Sequence, residues 1–302
     1  MVQSLKMKRT KLNTLENRHK INGIIMIIPA VIYFIVFVYY PIVHLFKLSF
    51  FKYDFFKPHP EFIGLQNYIK LMTDADFLNG LGNTVYFALF MTIFSVGISF
   101  FLAIMIHKRK ILSNFYQIGY FIPYITPMVA VALIWGWLFQ PGEAGLINYF
   151  ISFFGIPLQS WLYDTRLAMP TLILLSVWQG LGYRTIIFIA GLKAIPQQYY
   201  EAAEIDGANT WQKIKYISFP LLKPVFQFVL IITIMEAFRI FTPMYVLTRG
   251  GPVGTTITLV YNIYKQAFQF SKWGYAAAQT VVLFVLLLII SSLLLRKRRL
   301  TN

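Results

Sequence analysis

The sequence predicts an all-α membrane protein with six transmembrane helices, on three observations. First, the 302 residues are 58% hydrophobic with a mean hydropathy of +0.62. The apolar residues fall into runs long enough to cross a hydrocarbon core, which takes about 20 residues of helix. Second, the net charge of +16 gathers at residues 6–20, 108–110 and 296–299, beside apolar runs. That placement sets membrane topology and excludes a nucleic-acid partner. Third, one polar stretch of mixed charge, residues 201–224, breaks the apolar pattern and must lie outside the membrane. Cysteine is absent, so disulfides, thiolate nucleophiles and cysteine-held zinc are excluded.

Taken in order, a basic tail at residues 1–20 leads into a first span at 21–40. Its apolar run is too long for a signal peptide, and no small-residue cleavage site follows before Pro41, so it is expected to stay as a span. Residues 47–82 exceed a simple turn and contain FIGLQNYIKLM, which fits a small amphipathic helix. Spans two and three are expected at 84–106 and 116–139. The apolar stretch 145–161 is interrupted by Gly155 and Pro157, which suits a helix lying in the interface better than a seventh span. Spans four, five and six are expected at 167–192, 221–246 and 275–295, followed by a basic tail at 296–302. With no internal repeat and no low-complexity linker, residues 21–295 read as one membrane domain. Seventeen Lys and Arg residues fall on the side of both tails, the second-to-third connection and the polar stretch, against eight in the other loops. That excess puts both termini in the cytoplasm.

The polar stretch reads EAAEIDGANTWQKIKYISFPLLKP, two short helices and a turn. Pro196 suits a first helical position, and Gly207 the left-handed residue that stops the first helix. Asn209 can cap the second, with Gln212 reaching back to the cap. Pro220 marks the start of the next membrane helix. The product is a rigid, exposed elbow, a docking surface.

Glu201, Ala202, Ala203, Asp206, Gly207, Ala208, Ile217 and Pro220 stand at the spacing of the EAA loop of bacterial ABC importer permeases, and residues 193–220 resemble that loop. Ile214 and Phe219 depart from the usual Phe and Leu but stay apolar. Three further segments extend the resemblance over nearly the whole chain. They are PAVIYFIVFVYYPIVHLFKLSF with FIGLQNYIKLMTDADFLNGLGNT, then WQGLGYRTIIFIAGLKAIP, then LTRGGPVGTTITLVYNIYKQAF with GYAAA. These are similar to the carbohydrate-uptake branch, of the first-subunit type related to the maltose and glycerol-3-phosphate transporters. The resemblance implies a type I ABC importer permease fold in a bacterial cell membrane. It also implies a second permease subunit as a heterodimer partner, two ATP-binding subunits, an extracytoplasmic solute-binding protein and a sugar substrate. ATP and Mg would sit on the partner ATPase, since this chain has no G-x-x-x-x-G-K-[ST]; no cofactor or metal is expected here. By the same resemblance Gly250, Gly251 and Pro252, a turn on their own account, lie near the bound binding protein.

Ionisable side chains inside a span cost about 2.5–3.5 kcal/mol each and face a partner or a water-filled path. Glu236 and Arg239 lie three apart in the fifth span, close enough to pair on one helix face. Arg184 lies in the fourth, beside Gly180, Gly182 and Tyr183. A bland alternative has both arginines snorkelling and Glu236 merely neutralising Arg239. The resemblance instead places solute contacts at Gln179, Gly180, Tyr183, Thr233, Glu236, Ala237 and Ile240, with Arg239 beside them. Glycine admits a sugar ring, Tyr183 offers a stacking face and Glu236 accepts hydroxyl hydrogen bonds. Ala237 and Ile240 are apolar where the maltose protein has amides, which argues against maltose. Two other functions compete. In an sn-glycerol-3-phosphate permease the arginines would favour the anion and Glu236 oppose it. An enzyme acting on a lipid-linked sugar would need a paired catalytic constellation, and the chain has neither G-x-S-x-G nor H-E-x-x-H, with its histidines scattered at 19, 44, 59 and 107.

Overall fold

The computed structural model describes residues 22–54, 59–107 and 113–299. The expected tail at 1–20, the basic connection at 108–110 and the last residues of the C-terminal tail lie outside them. Helix α1 (Asn22–Leu48) runs eight residues past its expected end, and none of its apolar stretch is buried. Pro41 does not stop it: residues Ile35–Tyr39 form a π-helical turn just before it, in which the Tyr40 N–H donates to the Ile35 carbonyl, one of the ways a helix accommodates a local break in its ladder. A two-residue ribbon follows, β1 (Phe51–Lys52) antiparallel to β2 (Glu61–Phe62). The expected amphipathic helix is α2 (Gln66–Leu71), tied down by the buried Asn67, whose amide donates to the carbonyls of Ser49 and Phe51 at 2.8 and 3.1 Å.

Helix α3 (Ala75–His107) starts nine residues before the expected span. Asp74 explains the start: its Oδ1 accepts the backbone N–H groups of Asp76 and Phe77 at 2.9 and 3.2 Å, capping the first turn. Burial alone would raise the Asp74 carboxyl, but the Tyr275 hydroxyl, those two N–H groups and the nearby Lys70 together hold it below its ordinary range. The third span is broken: α4 (Ser113–Ile125) and α5 (Met128–Leu138) meet at 108°. Pro127 sits at the break and Pro123 one turn before it. The interfacial helix is shorter than expected, α6 (Leu146–Ser152), and the fully buried Asn148 folds residues 153–161 back over it through Gln159 and Trp161.

Helix α7 (Ala168–Lys193) matches the expected fourth span. The elbow is α8 (Gln197–Ile205) and α9 (Thr210–Leu221), and the fifth span continues as α10 (Lys223–Phe238), bent from α9 by 69°. Pro196 precedes the first elbow helix instead of opening it. Pro220 lies inside α9, and the membrane helix opens with Pro224. The expected fifth span to residue 246 ends early, at Phe238. A π-helical turn, Met244–Thr248, and α11 (Leu259–Tyr264) follow, and α12 (Trp273–Arg299) completes the bundle. Among the described residues four helices are long and apolar enough to span a membrane, or six if each bent pair is one span.

Two cores set the helix directions. One gathers Phe87 and Met91 of α3, Leu172 and Val177 of α7, Ala237 of α10 and Leu259 of α11. The other gathers Ala103 and Ile106, Phe188 and Leu192, and Leu222 and Val229. Helices α3 and α7 therefore run in the same direction and α10 against them. Gln227 of α10 donates to the carbonyl of Leu294, so α12 ends beside the elbow.

Candidate solute site and coupling surface

A guanidinium inside a membrane bundle needs acceptors, and Arg184 has them across the helix interface. It is fully buried; its Nε donates to Thr233 Oγ1 at 2.8 Å and its Nη2 to Glu236 Oε2 at 2.6 Å. This overturns the expected Glu236–Arg239 pair. Arg239 caps the C-terminus of α10 just past Phe238; it is exposed and its Nε donates to the Met235 carbonyl at 3.1 Å, as a cation at a helix C-terminus does. Snorkelling of Arg184 is overturned too.

Gly180 makes the seat for this side chain, since a Cβ there would stand 1.7 Å from Arg184 Nη1. Gly182 does the same for the third span: a Cβ would meet the Tyr120 carbonyl oxygen at 1.9 Å, so α4 lies directly on α7. That approach stacks Tyr124 on Tyr183, centroids 4.6 Å apart and planes within 6°, and brings Gln179 Nε2 to 3.5 Å from the Thr126 carbonyl at the break. Broken backbone at membrane depth is tolerated only where it is enclosed or lines a cavity. Gln179, Gly180, Tyr183, Thr233 and Glu236 thus converge between α7, α10 and the bend. Ala237 and Ile240 do not join them: Ala237 is fully buried in the first core and Ile240 packs against it. Arg239 points away. Sequence reasoning missed Tyr124 and Thr126; Pro123 and Pro127, flanking them inside an apolar run, are the signal that would have found them.

The elbow closes as its residues predict. Gly207 has φ +75°, the Ala208 N–H reaches the Ala203 carbonyl at 2.8 Å and the Gly207 N–H the Glu204 carbonyl at 3.0 Å, the two bonds of a Schellman stop. Asn209 and Gln212 form the reciprocal capping box. Lys213 Nζ then pairs with Glu204 Oε1 at 2.7 Å, joining α9 to α8. Glu201, Ala202, Asp206 and Pro220 are exposed, while Ala203, Ala208 and Ile217 are half-buried. Ile205 and Trp211 stand out at 88% and 70% exposure, an apolar patch of the kind that marks a protein contact. At the root of the elbow Phe219 packs on Phe226 at 5.1 Å, and Phe226 on Phe100 and Phe188 at 4.6 and 4.7 Å.

The opposite end carries the loop through Gly250, Gly251 and Pro252. Asn83 Nδ2 donates to the carbonyls of Gly254 and Ile257 at 3.1 and 2.9 Å, and Thr84 Oγ1 accepts the Leu259 N–H at 2.8 Å. Helix α3 thereby holds the loop rigid, with Val253 at its tip 92% exposed.

Comparison with known proteins agrees with this architecture. The family model described as "Binding-protein-dependent transport system inner membrane component" matches residues 95–298. The arabinooligosaccharides transport system permease protein AraP of Bacillus subtilis is 34% identical over 84% of this chain and 81% of its own length. The sn-glycerol-3-phosphate transport system permease protein UgpA of Escherichia coli is 33% identical over 86% and 88%. Among solved structures, a chain of a bacterial ABC transporter involved in import of the acidic polysaccharide alginate superposes with a TM-score of 0.84, at 23% identity, over 94% of this chain and 98% of that one. The chain belongs to the family of inner membrane components of binding-protein-dependent transport systems.

Proposed function

We propose that this chain is a permease subunit of a sugar or oligosaccharide importer, forming half of the translocation path and receiving ATP-driven motion through its elbow. The observation that carries the reading is a stacked tyrosine pair, Tyr124 and Tyr183, beside a half-accessible carboxylate, Glu236, at the meeting of two broken spans. Aromatic faces cover the apolar side of a sugar ring, and a carboxylate accepts hydrogen bonds from its hydroxyls. The kinship with AraP supports an oligosaccharide as substrate.

In this reading the elbow docks on an ATP-binding subunit through Glu201, Ala202, Asp206 and the Ile205–Trp211 patch. ATP and Mg are bound by that subunit. Closure of two such subunits moves the elbow, and the Phe219–Phe226 contact passes the motion to α7 and α10, the helices that hold the site. A second permease subunit supplies the other half of the path, and a solute-binding protein delivers the sugar to the loop around Gly250. Both termini and the elbow face the cytoplasm.

Reconstitution of the assembled transporter in lipid vesicles tests the reading. Tyr183→Ala should lower uptake while the binding protein keeps its affinity for the sugar. Gly207→Val places a β-branched residue at φ +75°, a left-handed conformation that costs roughly 1–2 kcal/mol even before crowding. It should abolish uptake and ATPase stimulation with membrane insertion unchanged; wild-type uptake by that variant would sink the coupling role. The relation to UgpA supports a second reading, an sn-glycerol-3-phosphate permease, and uptake of that anion in preference to oligosaccharides would establish it.

A further inference from the structure

Accessibility divides the ion pair unequally. The Arg184 side chain is 0% accessible and that of Glu236 44%. Thr233 and Glu236, three apart on one face of α10, take Nε and Nη2 together, an arrangement for which the rigid planar fork of a guanidinium is pre-organised. The remaining Nη1 is enclosed without a partner over Gly180, where a Cβ would displace it. Glu236 gives one oxygen to Arg184 and leaves the rest of its side chain partly accessible.

We infer that Arg184 is a positioning residue that selects neutral solutes against anions: it holds the Glu236 carboxylate oriented while keeping its own positive charge out of the path. A cation facing the path would attract phosphates and uronates. Here the cation lies behind its partner and the entering solute meets a carboxylate, which accepts hydrogen bonds from hydroxyls and repels anions. Glycine at 180 is part of the device, because it lets the guanidinium withdraw against the α7 backbone. The inference rests on the sugar-path reading.

The test measures binding of two probes, arabinotriose and sn-glycerol 3-phosphate, to the purified complete transporter in lipid nanodiscs without its solute-binding protein, by saturation-transfer NMR. Wild type should bind arabinotriose in preference. The charge swap Arg184→Glu with Glu236→Arg should raise binding of the phosphate relative to arabinotriose at least tenfold. Arg184→Lys should keep the wild-type preference in weakened form. If the swap does not assemble, Arg184→Gln with Glu236→Gln decides: the ratio of the two affinities should fall towards one. An unchanged ratio in that variant, with only the yield reduced, would show a structural pair and overturn the inference while leaving the sugar path standing. Failure of wild type to bind arabinotriose would remove both.

Discussion

Arg184 and Glu236 could be recognised in the sequence as charges too costly to leave alone inside a span, but their partnership could not. Spacing along the chain favoured Glu236 with Arg239. Arg184 lies close enough across the interface to take the carboxylate, and Arg239, at the end of the helix, became a surface cation bonded to the Met235 carbonyl. The Arg239 position and the seat of Arg184 should therefore respond differently to substitution. Arg239→Gln, at an exposed position, should change stability by no more than about 0.5 kcal/mol. Gly180→Ala puts a methyl 1.7 Å from Nη1 of an enclosed guanidinium held by two acceptors, so it should cost about 1–3 kcal/mol as an overpacked site does. Thermal unfolding of the purified complex, read alongside uptake, separates them. An equal effect of both substitutions would reject the observed pairing.

Among the elements, those written in local signals were the most legible. The elbow followed from Gly207, Asn209 and Gln212 because caps and left-handed stops depend on neighbours in sequence. Breaks in the spans were harder: hydropathy runs unbroken through Thr126, Lys223 alone marks the bend at Leu222, and only the prolines hint at bends that tertiary packing completes. The early start of α3 had a local cause in Asp74. Because the folded carboxyl is held below its ordinary range, it contributes stability that is present above the unfolded value, about 3.9, and is lost as pH falls through the folded value. Asp74→Asn keeps a capping oxygen but loses the charge that strengthens the bond from the Tyr275 hydroxyl, so it should destabilise at pH 6 by about 1 kcal/mol, and the gap from wild type should narrow as pH falls below 4. A gap independent of pH would discard the charged cap. At the elbow root, Phe219 is half-exposed and touches Phe226. Phe219→Ala should leave assembly intact but lower the number of solutes moved per ATP. Loss of uptake and ATPase activity in equal proportion would instead mean lost docking.

For the whole molecule, six crossings were legible from run length and charge, and the open question is whether each bent pair crosses or turns back. The packing answers it. Phe87 and Met91 near the start of α3 share a core with Leu172 and Val177 near the start of α7, while Ile106 and Leu192 share the other core at their ends. Two parallel spans need a connection that crosses between them, so α4 and α5 together must traverse the membrane despite their 108° bend. A re-entrant turn would instead reverse α7 and carry Lys193, Lys213, Lys215 and Lys223 outside, against the bias of basic residues towards the cytoplasm. Single cysteines decide the matter cleanly, because the chain has none of its own. Ile205→Cys on the elbow and Glu143→Cys in the turn after α5 both replace exposed side chains outside the caps and left-handed positions. With a membrane-impermeant maleimide, Glu143→Cys should label in intact cells stripped of any outer barrier, and Ile205→Cys only in inverted vesicles. The reverse pattern would make the third span re-entrant, and labelling of both from one face would break the six-crossing arrangement.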